Sequence, residues 1–300
     1  MTDTAEPRRG RVVAIGNQKG GVGKSTLTVH LSAALGEMGY QCLIWDLDMN
    51  RGASLQLGIP KEMPVLGSYE VLSGAEDPVE VIVRNGDFED IEFPENVCLI
   101  PARRNLEEID AVLSSKYKFG NPKDILRPLI DSLRPSFDYI FLDTAPNLTI
   151  PTVAAYKAAT YFLLSAIPEP LAIEGLSDAL QDIATVREQG NPDLRLIGVV
   201  ISAIEGRTTR LQRELISYVE ETFDRSSDPI MQSYITRISK TTYICDSQKS
   251  GKTILQAYPD HKVAQQYREL ALEIDSRLNT AENVKPERYV KSKGRKVVNG

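Results

Sequence analysis

RVVAIGNQKGGVGKSTLTVHLSAALGE, residues 11–37, decides the fold. RVVAIG (11–16) is an unbroken apolar run, as expected of a strand buried on both faces. A glycine-rich turn follows, and then a helical pattern from about residue 24 to 38. Strand, glycine loop and helix in that order form the frame of a phosphate-binding loop. Gly20, Gly21 and Gly23 let the backbone curl so that N–H groups, that of Val22 among them, point inward at phosphate oxygens. The helix N-terminus adds partial positive charge. In this frame Lys24 neutralises the β- and γ-phosphates of a nucleotide and the Ser25 hydroxyl ligates magnesium. Thr26 lies within reach of the α-phosphate. The common pattern G-x-x-x-x-G-K-[ST] would place its first glycine at position 18, where this chain has Gln18. In place of that glycine the loop carries a second lysine, Lys19, next to Gly20.

Outward from this stretch, apolar runs recur at 41–48, 97–102, 137–143, 161–168 and 194–204. Helical patterns lie at about 105–114, 122–133, 171–189, 207–223 and 261–278. Strand alternating with helix predicts an α/β fold, a doubly wound, mostly parallel sheet flanked by helices. Two strands end in carboxylates. QCLIWDLD closes on Asp46 and Asp48, two apart and so expected on one face of the strand. FDYIFLD closes on Asp143, the arrangement that holds magnesium directly or through water in such sheets. The segment 58–96, rich in Pro, Gly and acidic residues, is expected to be a surface excursion.

KGGVGKST resembles the deviant phosphate loop of the ParA/MinD family of P-loop ATPases, specifically its ParA/Soj branch. The resemblance spans roughly residues 11–278 and is most specific at 17–26 and 46–48. It implies ATP and Mg2+ as ligands and an ATP-dependent sandwich homodimer in which Lys19 reaches the partner's nucleotide. It aligns Asp48 with the family's hydrolytic aspartate, which also helps to set the magnesium shell, and gives Asp46 a supporting role. It also implies non-specific DNA binding, a stimulating partner of the ParB-like centromere-binding kind, and a cytoplasmic, nucleoid-associated protein. Two departures stand out: Met49-Asn50 replaces the family's Pro-Gln, and a single Pro146 follows Asp143 where two prolines are usual.

Charge narrows where DNA contacts can lie. The chain has a net charge of −6, yet residues 285–300 hold a local balance of +5. DNA binding must therefore come from a local patch or from this tail. Candidates on the C-terminal half are Arg207, Arg210, Arg213, Arg237, Lys240, Lys249 and Lys252, interleaved with glutamates that fit a solvated helix face equally well. Residues 1–10 and 281–300 are expected to flank the ATPase domain as flexible segments, with 11–280 as the domain itself. The tail YVKSKGRKVVNG is glycine-broken and lacks Leu or Phe, which argues against a membrane helix. No apolar run approaches the roughly 20 residues of a membrane span. The three cysteines are far apart and without a CxxC pair, so an iron–sulfur ATPase and a zinc site have little support. Other cargo-positioning ATPases, and kinases or synthetases on the same fold, stay open.

Overall fold

Alternate residues of one strand feed two different cores. In β1 (Arg11–Gly16), Val12 and Ala14 enter one apolar cluster while Val13 and Ile15 enter the other. The same division splits β2 (Cys42–Asp46), β4 (Tyr139–Asp143) and β5 (Tyr161–Ala166), so each face of the sheet is covered. Each fully buried Val, Leu or Ile contributes on the order of 1.5–3 kcal/mol relative to an exposed one. With β3 (Val97–Ile100) and β6 (Arg195–Ile201) the strands run parallel in the order β3-β2-β4-β1-β5-β6. The structure is a computed structural model that describes residues 10–117, 120–224 and 236–283.

One face is covered by α1 (Lys24–Glu37), α2 (Gly52–Gln56), α10 (Ile254–Ala257) and α11 (Lys262–Asn283). The other carries α3 (Ser68–Ser73), α4 (Ile109–Lys116), α5 (Leu126–Leu133), α6 (Ile150–Ala158), α7 (Pro170–Gln189) and α8 (Arg210–Asp224). α9 (Tyr243–Lys249) packs beside α10. At the N-terminal edge of the sheet, Arg11 bonds Tyr139 and Asp275, and Tyr40 also donates to Asp275, which ties α11 to β1 and β4.

The six expected strands are all present, several of them shorter than their apolar runs. β2 ends at Asp46, because the chain turns there: the Asp48 N–H donates to Asp46 Oδ1 at 3.1 Å. The helical patterns at 105–114 and 122–133 each begin as a 3-10 turn before α4 and α5. α6, which carries Pro151, has no counterpart among the predicted helical patterns. That proline falls in the first turn, where no N–H is required, and Thr149 caps the helix by accepting from the Thr152 N–H.

The segment 58–96 is not a surface excursion. Val71, Leu72, Val81 and Ile82 are buried in one core, and Val65, Val83 and Phe93 in the other. Val83 pairs with Leu99 in an isolated antiparallel bridge at the β3 edge. Its apolar residues fall in short groups broken by Pro, Gly and acidic residues, so no sustained period marks their burial. Trp45, in β2, is completely buried, and its indole N–H has no hydrogen-bond partner among the described residues. All three cysteines are free thiols, with Cys42 buried and Cys245 exposed. No helix among the described residues is long and apolar enough to cross a membrane. The expected flanking segments lie outside the described residues beyond Gly10 at one end and Asn283 at the other.

Candidate functional site

The glycine loop runs from the end of β1 to α1. Gly21 (φ 77°) and Gly23 (φ 85°) occupy the left-handed region, which a side chain would strain, while Gly20 does not need it. A Cβ on Gly20 or Gly21 would meet nothing within 4 Å, so the loop is an open cradle. Gly23 stands at the N-cap of α1 without any side-chain cap, and the first turn holds no acidic residue. The helix N-terminus is thus left free to donate to an anion. The Lys24 ammonium folds back under the loop and donates to the carbonyls of Asn17 (3.0 Å) and Lys19 (3.1 Å). Burial lowers the Lys24 pKa, against the raising effect of the Asp143 and Asp48 charges. The Lys19 ammonium, half-buried, makes no hydrogen bond or ion pair among the described residues.

The three aspartates gather at the C-terminal ends of β2 and β4, beside the loop. Asp143 is fully buried. Its Oδ1 accepts from Thr28 Oγ1 at 3.2 Å, and its Oδ2 has no partner among the described residues. Burial raises its pKa first and the Asp46 charge second; the nearby Ser25 hydroxyl and the charge of Lys24 oppose this. An orphaned acceptor beside a serine hydroxyl forms a hard-oxygen donor set that fits magnesium, whose shell is otherwise filled by water and phosphate. The open cradle fits a polyphosphate, so the residues present suit both implied ligands.

Asp46 and Asp48 differ in kind, and the expectation that they share one strand face does not describe them. The Asp46 carboxylate is spent within the fold: Oδ2 accepts from the Ser54 N–H (2.9 Å) and hydroxyl (2.7 Å), and Oδ1 from the Asp48 N–H. Burial raises its pKa, and these bonds hold it down. Asp48 lies past the strand end, where its Oδ1 accepts from the Asn50 N–H and side-chain amide, each at 2.9 Å. It borders a cleft shared with Leu47, Met49, Leu106 and Ala145.

Several residues that shape the site were not anticipated. Asn17 Nδ2 donates to the Ser165 carbonyl (2.8 Å), and Asn17 Oδ1 accepts from the Lys19 N–H (2.8 Å). Ser165 in turn donates to the Val22 carbonyl at 2.8 Å. Gly52 lies so close to the loop that a Cβ there would stand 2.3 Å from Ser25 Oγ. Asn17 adjoins the motif and was open to notice; Ser54, Ser165 and Gly52 are brought in only by the tertiary fold.

The basic candidates on the C-terminal half are mostly compensated. Arg210 pairs with Glu214 (2.7 Å), Arg237 with Glu220, Lys240 with Glu205 (3.1 Å), Lys249 with Asp246 (2.8 Å) and Lys252 with Glu92 (2.7 Å). Arg207 and Arg213, both exposed, carry no carboxylate partner among the described residues.

Comparisons with known proteins agree with this geometry. The AAA domain family matches residues 10–196. The sporulation initiation inhibitor protein Soj of Bacillus subtilis is 30% identical over 88% of this chain and 98% of its own. The chromosome-partitioning ATPase Soj of Thermus thermophilus is 31% identical over 90% of this chain and 98% of its own. Among solved structures, cobyrinic acid a,c-diamide synthase from Mycobacterium smegmatis with bound ATP analogue and magnesium superposes with a TM-score of 0.73. That pair is 28% identical over 91% of this chain and 97% of the other. With its lysine-bearing loop, aspartate-tipped strands and near full-length match to the Soj proteins, the chain belongs to the ParA/MinD family of P-loop ATPases, in its ParA/Soj branch.

Proposed function

We propose that this chain is a DNA-partition ATPase in which hydrolysis is conditional on pairing of two copies. The observation that carries the reading is Lys19: a second cation in the phosphate loop whose ammonium has no partner among the described residues. In a loop already supplied with Lys24, such a cation suits a nucleotide held by another copy. Lent across a dimer, it would stabilise charge developing on the transferred phosphoryl group only after assembly.

The residues divide the chemistry in a simple way. Residues 19–26 hold the ATP phosphates through backbone N–H groups, with Lys24 against the β- and γ-phosphates. Ser25 and Asp143 hold magnesium, which supplies charge neutralisation on the phosphates when bound. Asp48 orients the attacking water, whose oxygen bonds the γ-phosphorus as the bond to the bridging oxygen breaks. Asp46 acts as a positioning residue, since its carboxylate fixes the turn that carries Asp48. The ATP-bound dimer binds DNA non-specifically, and a ParB-like centromere-binding protein stimulates hydrolysis and release. Kinship with chromosome-partitioning Soj proteins supports this cargo. A second reading, transport of a protein cargo, is favoured by the compensated basic patch: only Arg207 and Arg213 of the candidates lack a carboxylate partner among the described residues.

Light scattering and DNA binding, each measured with ATP, with ADP and without nucleotide, separate the two. A DNA-bound dimer formed only with ATP is the expected result. An ATP-dependent dimer without DNA affinity moves the reading to protein cargo. Lys19→Ala is expected to retain ATP binding and lose hydrolysis, and normal turnover in that variant sinks the cross-dimer role.

A further inference from the structure

The position at which the common phosphate loop has its first glycine carries Gln18, and the ATPase chemistry described above gives that side chain no task. Gln18 is half-buried, and its Nε2 donates to Asp182 Oδ2 on α7 at 2.6 Å. α7 comes equally close one position to either side. A Cβ on Gly175 would stand 2.6 Å from Asn17 Oδ1 and 3.3 Å from Lys19 Cβ. Gly175 and Asp182 are seven residues apart, two helical turns, and so lie on the same face of α7. Residues 17–19 are therefore fixed at three points. Asn17 is tied to the Ser165 carbonyl, Gln18 to Asp182, and the Lys19 N–H to Asn17. The carbonyls of Asn17 and Lys19, at the two ends of this splint, are also the seat of the Lys24 ammonium.

We propose that Gln18 and Asp182 form a clasp that positions Lys19 for hydrolysis, by holding segment 17–19 against α7, without touching the nucleotide. The inference rests on the reading of Lys19 as the conditional cation. A lysine reaching another subunit is a long, flexible arm, and its aim depends on how firmly its backbone is set. A misplacement of about 1 Å costs on the order of 100-fold in rate. Release of the clasp loosens residues 17–19 and leaves the N–H groups of 20–26 in place, so the effect falls far more on turnover than on ATP affinity.

The test inverts the bond. Gln18→Glu sets a carboxylate against Asp182 and opens the clasp. Adding Asp182→Asn returns a donor, now on α7, and closes it in reverse. For Gln18→Glu we expect kcat to fall about tenfold with KM for ATP within about twofold and the melting temperature unchanged. The double variant should recover to within about threefold of the parent, a non-additivity that marks direct coupling. Combining Gln18→Glu with Lys19→Ala should give no further loss beyond Lys19→Ala alone. Wild-type turnover in Gln18→Glu, or a double variant no better than the single, overturns the clasp alone. Normal hydrolysis in Lys19→Ala overturns the clasp and the conditional-cation reading together.

Discussion

His30 shows how a polar residue in the core is tied to the phosphate loop. Its Nδ1 lies 2.9 Å from the Thr26 carbonyl, its Nε2 accepts the Ile254 N–H at 3.2 Å, and its ring stacks on Tyr267 at 4.9 Å. The backbone donor fixes the tautomer: Nε2 is the acceptor, so Nδ1 carries the proton. Burial lowers the pKa to about 4 from its ordinary 6.5. The unfolded chain therefore binds the proton more readily between these values, and stability is lost as pH falls through that window. Urea unfolding at pH 5 and pH 7 should differ by about 2 kcal/mol on account of this group. A His30→Gln variant should lack that share of the difference; an unchanged pH dependence in the variant would refute the assignment. Gly52 is a second such point. Ala at this position must displace Ser25 Oγ or α2, and it should weaken magnesium-dependent ATP binding by about tenfold. Titration with and without EDTA reads this, and equal affinities in parent and variant count against Ser25 as the ligand.

Among the secondary-structure elements, α1 depends on one glycine at its far end. A Cβ on Gly36 would lie 2.1 Å from the Glu95 carbonyl oxygen, a backbone atom that cannot swing away. Gly36→Ala should therefore cost about 2–3 kcal/mol of stability, measurable by chemical denaturation, while the loop chemistry at the other end of α1 persists. The β-strands are legible in the amino-acid sequence as short unbroken apolar runs, and the long helices as longer patterns between them, with turn residues marking the junctions. The short helices α2, α9 and α10 are not, since four to seven residues hold too few turns to show a period. The site divides along the same line. Loop 17–26, Asp48 and Asp143 stand at strand ends, where motif and context coincide. Asp46 reads in the sequence as a supporting carboxylate, and only the fold shows that Ser54 occupies one of its oxygens.

At the scale of the whole molecule, most basic candidates on the C-terminal half are paired with carboxylates among the described residues. Exposed ion pairs contribute only about 0–1 kcal/mol each to stability, yet each one masks a cation from an incoming phosphate. Arg207→Ala with Arg213→Ala should thus reduce DNA affinity, and lower the slope of log affinity against log salt by about 1 per lost phosphate contact. Lys240→Ala with Lys249→Ala should change both less. Filter binding across a salt series distinguishes the pairs, and a reversed order of effects would place the DNA face elsewhere. Trp45 is the chain's single tryptophan, and it directly precedes the aspartate that fixes the turn carrying Asp48. The protein thereby carries its own optical gauge: emission excited at the indole band should shift when ATP and magnesium settle the turn, with no dye attached and no competing signal from another indole.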